Sequence, residues 1–383
     1  MATTCIAHMT EHLYVGIITV VLPVIATALG MNMAQAGFLV SIRSLAAGLS
    51  NVPSGLLADL IHRRSLLLGL SLILLGVSSL LMSFAANYWV LLAFMVLGAV
   101  GAGSFHPQSL TILSAAYRER RALALGVHDS SGNLGEIIAP LTIGTLLTFI
   151  DWRSTLQIWA VPGLAVGLLY VLFCSEIRTT ASVSRATFKR ALWYDVVTNR
   201  AVFALFLISV FRAMGQTSLL AFLPLYLTLD LKLPVGAMGF YISLLFLFGG
   251  IAPSLSGYLS DRIGRAPLMI WGSALSAAAI AVLPLLAQGI ALGVGCSAVG
   301  TLLWALRPVI FAAAMESAPA EMGGSLVGFI YTGNMGLSFI APIAAGFVAD
   351  AYGLAAALSL IAVFPLLACF VAISSLMAAR SRP

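Results

Sequence analysis

Long apolar stretches separated by short polar ones run the length of the chain. A bilayer core needs about 20 apolar residues per helix. Twelve stretches reach that length: residues 4–29, 36–60, 65–84, 88–115, 123–150 and 153–173, then 201–228, 235–259, 267–286, 289–315, 325–349 and 354–378. The pattern predicts an all-α membrane protein of twelve transmembrane helices. One long polar break, residues 175–200, divides them six and six and holds Arg178, Arg185, Lys189 and Arg190. It reads as a cytoplasmic linker between an N-terminal bundle, residues 1–174, and a C-terminal bundle, residues 201–383.

Composition excludes a soluble protein. Apolar residues make up 61% and charged residues 8%, with a mean hydropathy of +1.07. A soluble domain carries about 25% charged residues, so this chain has too little charge to cover a water-facing surface. The net charge of +6 does not point to nucleic acid. With both termini cytoplasmic, fourteen of the 19 Lys and Arg residues fall on the cytoplasmic side, and Arg153 and Lys232 fall outside. That is the inside-positive bias of a plasma-membrane (cell inner membrane) protein. The loop Glu316–Met322 breaks the pattern, being acidic where a basic loop is expected. Cys5, Cys174, Cys296 and Cys369 have neither metal nor disulfide spacing. A cleavable leader is not expected, since Glu11 and the histidines interrupt the first apolar run.

The two halves repeat. Gly55-Leu56-Leu57-Ala58-Asp59, followed by Arg63, returns as Gly257-Tyr258-Leu259-Ser260-Asp261, followed by Arg265, 202 residues later. Leu22-Pro23 matches Leu223-Pro224, and Gly132-Asn133-Leu134-Gly135 matches Gly333-Asn334-Met335-Gly336. Ala139-Pro140 matches Ala341-Pro342, and His106-Pro107 lies opposite Arg307-Pro308. The pattern G-x-L-[AS]-D-x-x-[GH]-R, present twice between membrane-length segments, resembles the loop that major facilitator superfamily transporters carry between their second and third and their eighth and ninth helices. The resemblance implies two pseudo-symmetric six-helix bundles, with substrate bound near the membrane midplane between repeats. It also makes Gly55, Asp59, Arg63, Gly257, Asp261 and Arg265 the candidate conformational switch. There the glycine is expected to let helices approach closely, and the aspartate to face a helix N-terminus.

Ionisable groups inside a membrane cost about 2.5–3.5 kcal/mol each, so they are the functional candidates. His8, Glu11 and His12 share one helix face at spacings of three and four. Asp129, Asn133 and Glu136 share another, while His128 points elsewhere and reads as structural or gating. Arg43, Arg212 and Arg307 are fixed positive charges within the membrane. Glu11 lies opposite Arg212 at the repeat offset, and His106 opposite Arg307, so titratable groups collect in the first half and permanent charge in the second. Glu11, Asp129 and Glu136, assisted by His8, His12 and His106, are therefore candidate proton carriers. Arg43, Arg212 and Arg307 are candidate contacts for an anionic substrate, and Asn133, Tyr14, Gln216, Tyr331 and Asn334 candidate cavity-lining residues. The string His8-Met9-Thr10-Glu11-His12 also spells H-x-x-E-H, a zinc-peptidase pattern. A catalytic zinc needs a third protein ligand, and the twelve-helix repeat belongs to a different architecture. No enzyme, resident metal or cofactor is expected. A carrier of metal ions or metal chelates using these three residues is the alternative, and a receptor or intramembrane metallopeptidase a remoter one.

Three stretches narrow the resemblance. Ala7-His8 with a polar pair following and then Leu22-Pro23, Phe105-His106-Pro107, and Gly132-Asn133-Leu134-Gly135 with Ala139-Pro140 resemble the first, fourth and fifth helices of the fosmidomycin resistance protein group. That group tends to carry an acid where this chain has His12, and its drug is a phosphonate. Together with the membrane arginines and the titratable cluster, the resemblance leads to the expectation of a proton-coupled secondary transporter, an efflux antiporter, that moves a small anionic organic solute or drug by alternating access and works as a monomer. Its partners would be the substrate, protons and the lipid bilayer, and not nucleic acid.

Overall fold

The protein is described by a computed structural model for residues 1–117, 119–176, 199–317, 330, 333, 334 and 336–380, apart from the side chains of residues 52, 59, 121, 122 and 378–380. Among the described residues there is no strand, and twelve helices of thirteen residues or more follow one another. The first six are α1 (Ala2–Ala28), α2 (Met33–Ile61), α3 (Arg64–Ser83), α4 (Tyr88–Ala116), α5 (Arg121–Leu146) and α6 (Trp152–Phe173). The second six are α7 (Arg200–Leu225), α8 (Val235–Ile263), α9 (Arg265–Val282), α10 (Ile290–Glu316), α11 (Ile340–Tyr352) and α12 (Leu354–Arg380). Each predicted span has its helix, with ends displaced by a few residues. The predicted start of the eleventh span, residue 325, lies outside the described residues. Among the described residues, nine helices are long and apolar enough to cross a membrane.

Helix ends are set by local chemistry. Asn32 and Gln35 form a reciprocal capping box at the start of α2. The Asn87 side chain accepts from two backbone N–H groups of α4, and Asn199 does the same for α7. Asp151 caps α6, and the Ser154 hydroxyl that donates to it holds its carboxyl below the usual carboxylate range. The turn between α8 and α9 passes through Gly264 at φ 93°, a left-handed conformation open to glycine. Its repeat counterpart between α2 and α3 is His62, held at φ 54°.

The contacts gather into two compact units. One holds α1–α6 together with Leu227–Ser243, and the other holds α7 and the chain from Leu244 onward. In the first, α3 packs against α4 and α6, α1 lies along α5, and α2 lies along α4. In the second, α9 packs against α10 and α12, and α7 lies along α11 and α12. The pairs α1–α5, α3–α4 and α3–α6 thus recur as α7–α11, α9–α10 and α9–α12. The half-chain repeat of the sequence is also a repeat of packing.

Tyr14 belongs to this packing and not to a cavity. It is 5% exposed, its hydroxyl donates to the Trp159 carbonyl at 2.7 Å, and the Gly163 N–H donates to it at 2.9 Å. An aromatic ring with one polar tip, buried where α6 offers both a donor and an acceptor, ties α1 to α6.

Candidate functional site

The repeated loop motif forms two different clamps. In the second copy, Arg265 at the head of α9 pairs with Asp261 on α8 at 2.6 Å and with Glu316 at the end of α10 at 2.8 Å. One guanidinium fork thus joins three helix ends. Glu316, part of the anomalous acidic loop, is there as the partner of Arg265. In the first copy the Asp59 side chain lies outside the described residues. Arg63, the residue expected to act here, is exposed, and the next residue takes its place. Arg64 is 6% exposed and donates to Gln108 Oε1 on α4 at 3.1 Å, while Gln108 Nε2 donates to the Ser54 carbonyl on α2 at 3.1 Å. The reason is register: Arg64, like Arg265, is the first residue of its helix, and Arg63 is the capping residue before it. The glycines do not make the expected close approach. A Cβ on Gly55 would lie at an ordinary 3.8 Å from Pro107, and one on Gly257 would meet nothing within 4 Å.

The polar centre of the first unit is built where α1 meets α4 and α5. The spacing of His8, Glu11 and His12 does place them together. The face they meet on α5 is the stripe Ala124, His128, Gly132, Gly135 and Ala139, all buried and three or four residues apart. Gly132 has no room for a side chain, since its Cβ would fall 2.6 Å from His8 Cε1 and 3.0 Å from His12 Nε2. The His8 ring stacks on that of His128 with centroids 3.9 Å apart, and lies edge-on to His12 at 4.5 Å and to His106 at 5.5 Å. His8 is buried, 3% exposed, although it lies near the start of its helix.

Hydrogen bonds order the cluster. His8 Nδ1 lies 2.7 Å from the His128 carbonyl oxygen, which can only accept, so Nδ1 carries the proton and Nε2 the lone pair. His12 Nδ1 is 3.0 Å from Glu136 Oε1, which turns His12 Nε2 towards Glu11 Oε2 at 3.5 Å. His106 Nε2 stands 3.9 Å from the same oxygen. That oxygen is buried and has no hydrogen-bond partner among the described residues. Arg43, half-buried on α2, interacts with the Glu11 charge. Asp129 is exposed and acts electrostatically on His128, and Asn133 is half-buried on the same helix. His128 lies off the acidic face of α5, so that face does not reveal its place in the cluster. Its membership of the small-residue stripe that includes Gly132 and Gly135 is the signal that could have found it.

In the second unit, Arg212 is buried on α7 and donates to Gln216 Oε1, one turn on, at 2.5 Å. Arg307 is half-buried on α10. Asn334 is 8% exposed, and its Oδ1 has no hydrogen-bond partner among the described residues. Tyr331 lies outside the described residues.

Twelve helices in a twofold packing repeat, with ionisable side chains buried inside spans that cross a membrane, define a multi-pass membrane transporter. The sequence signature of the Major Facilitator Superfamily matches residues 4–342 and, a second time, 205–383. The chain belongs to that superfamily and is a transporter, not an enzyme. It is similar to the uncharacterized MFS-type transporter YfnC of Bacillus subtilis (strain 168), at 27% identity covering 94% of this chain and 89% of that one. It is similar also to the Probable L-galactonate transporter of Escherichia coli (strain K12), at 26% identity covering 84% and 76%. Multidrug resistance protein MdtG of Proteus mirabilis (strain HI4320) is 25% identical over 76% of this chain and 73% of that one. The fold matches the crystal structure of a point mutant of the nucleoside transporter NupG, with a TM-score of 0.85 at 13% identity, covering 98% of this chain and 99% of that one. It matches also a bacterial homolog of the human lysosomal transporter Spinster, with a TM-score of 0.82 at 17% identity, covering 99% and 96%.

Proposed function

We propose that the protein is a proton-coupled secondary transporter that exports a small organic anion across the plasma membrane, with both termini cytoplasmic. The observation that carries this reading is the chain Glu11–His12–Glu136: two carboxylates joined through an imidazole across α1 and α5, inside membrane-spanning helices. Groups that exchange protons and lie within hydrogen-bonding reach of one another can accept a proton on one side and release it on the other. His8, His106 and Asp129 assist. The anionic class is supported by Arg43, Arg212 and Arg307, and by a relative named for L-galactonate, an organic acid. Export is supported by a relative named as a multidrug resistance protein and by the likeness of the first, fourth and fifth helices to the fosmidomycin resistance group. In this reading the chain works as a monomer, divided at residues 175–200 into bundles that rock against each other.

Reconstitution in proteoliposomes with a panel of sugar acids and phosphonates, with and without an imposed pH gradient, tests it. Wild type should accumulate one of these anions against its gradient. Glu11→Gln and Glu136→Gln should still exchange labelled for unlabelled anion but lose accumulation. Uphill transport by both variants would move the proton path elsewhere.

A further inference from the structure

In sequence, the H-x-x-E-H string on α1 lacks a third protein ligand to a metal. The fold supplies one. One ligand atom from each of His8, Glu11, His12 and His106 lies within 4.8 Å of every other. From this geometry we infer that the first unit holds a binding site for a divalent transition-metal ion of the zinc class, with these four residues as ligands.

Three independent features carry the inference. The first is the donor set. Three imidazoles and a carboxylate suit zinc, cobalt or nickel, whereas magnesium and calcium want oxygen ligands throughout. Tetrahedral zinc needs its ligand atoms about 3.4 Å apart at Zn–N distances near 2.0–2.1 Å. Side-chain rotations of roughly 1 Å would bring the four atoms there.

The second feature is the surrounding shell. A histidine that ligates a metal through one nitrogen donates its other N–H to a backbone carbonyl or a carboxylate, which fixes tautomer and ring plane. His8 faces the His128 carbonyl at 2.7 Å, and His12 faces Glu136 at 3.0 Å. Both therefore keep Nε2 as the nitrogen left to ligate, and that of His12 faces Glu11. His8 is further held by the stacked ring of His128, and Gly132 lets both rings lie against α5.

The third feature is the orphaned acceptor. Glu11 Oε2 is buried and without a hydrogen-bond partner among the described residues, and the Nε2 atoms of His12 and His106 stand 3.5 and 3.9 Å away. Those separations are too long for hydrogen bonds but natural for atoms that share a cation. The His106 side chain, 22% exposed, and that of His12, 17% exposed, leave one side open for entry.

The charges nearby make a sharper claim. Glu11 and Glu136 together balance a divalent cation, and Asp129 lies near His128. Arg43 interacts with Glu11 and opposes the metal. Removing Arg43 should therefore strengthen metal binding, which no merely structural role for the cluster would produce.

The test uses the full-length, tag-free protein in detergent, stripped with chelator and then dialysed to equilibrium against zinc alone, with the metal counted by elemental analysis. Wild type should retain one zinc per chain saturably. Glu11→Gln and His106→Gln should each weaken retention at least tenfold, Arg43→Gln should tighten it severalfold, and His62→Ala, which alters an exposed histidine at a helix end, should leave it unchanged. Cobalt titration of the wild type should give the intense visible bands of a tetrahedral site, a readout that needs no variant to fold. A wild type that retains no stoichiometric zinc, retention that survives Glu11→Gln and His106→Gln, or retention lost in His62→Ala would overturn the inference. Metal ligands must be deprotonated, so the cluster holds either the metal or the transported proton at Glu11 and His12. Binding is read at equilibrium without any gradient, so its outcome is separate from that of the transport proposal.

Discussion

A single missing methyl group decides whether the histidines fit. At Gly132 a Cβ would press on His8 at 2.6 Å and on His12 at 3.0 Å, and both rings are held from behind by hydrogen bonds. Neither ring can retreat without breaking a contact. Gly132→Ala should therefore destabilise the protein by about 1–3 kcal/mol, the usual cost of overpacking, and cut transport at least tenfold. Gly126→Ala is the control, because a Cβ there meets nothing within 4 Å. Thermal melting and transport of the pair decide the matter, and equal behaviour would mean that Gly132 does not shape the cluster. The roles of these residues are unevenly legible in the sequence. His8, Glu11 and His12 declare a common face through helical periodicity alone. Periodicity does not say which face of α5 receives them. The polar stripe of Asp129, Asn133 and Glu136 is the conspicuous one, while the quieter stripe of His128, Gly132 and Gly135 packs on α1 and only Glu136 of the polar stripe reaches it, through His12. His106 comes from another helix, and only tertiary packing brings it close.

Between helices, the repeated loops act as clamps. Arg265 links the ends of α8, α9 and α10 through Asp261 and Glu316. Its contacts lie at the ends of three helices of the second unit. Arg265→Gln and Glu316→Gln should slow turnover alike, by severalfold, and leave substrate affinity within about threefold. Transport rates alongside equilibrium binding separate the two quantities, and a large loss of affinity would reassign the clamp to substrate binding. Tyr14→Phe removes two hydrogen bonds between α1 and α6. It should lower stability by about 1–3 kcal/mol without changing affinity, as read by melting and binding together. The helices themselves are legible because a bilayer dictates their length. The clamps are not. A motif shows that an arginine is wanted near a turn, but whether Arg63 or Arg64 turns inward depends on where α3 takes its first helical residue.

Across the whole molecule, charge is divided between the repeats. The first unit carries Glu11, Glu136 and the histidines with one permanent charge, Arg43, and the second carries Arg212 and Arg307. That division predicts two kinds of failure. Arg307→Ala should abolish binding of the anion, and Arg307→Lys should restore it in part, since lysine lacks the planar fork. The carboxylate variants should keep the affinity and lose accumulation. Binding measured by calorimetry on the arginine variants checks this, and unchanged affinity in Arg307→Ala would make that residue structural. The repeat is legible as offsets in the sequence and returns as repeated packing pairs, because a duplicated hydrophobic pattern buries the same faces twice.

The contact between α1 and α5 has a consequence for biosynthesis. His8 meets its acceptor 120 residues further along the chain, and His12 meets Glu136 after 124. At the usual pace of translation, about 5–20 residues per second, that separation lasts about 6–24 s. Throughout that interval α1 holds an acid and two imidazoles but none of their partners on α5. It is a poor candidate for immediate release into lipid, where unmatched polar groups are costly. Its integration becomes a late step, timed by the emergence of α5 from the ribosome. Nascent chains arrested before residue 128 should leave α1 extractable by alkaline carbonate, and chains arrested after α5 has cleared the ribosomal tunnel should hold it fast.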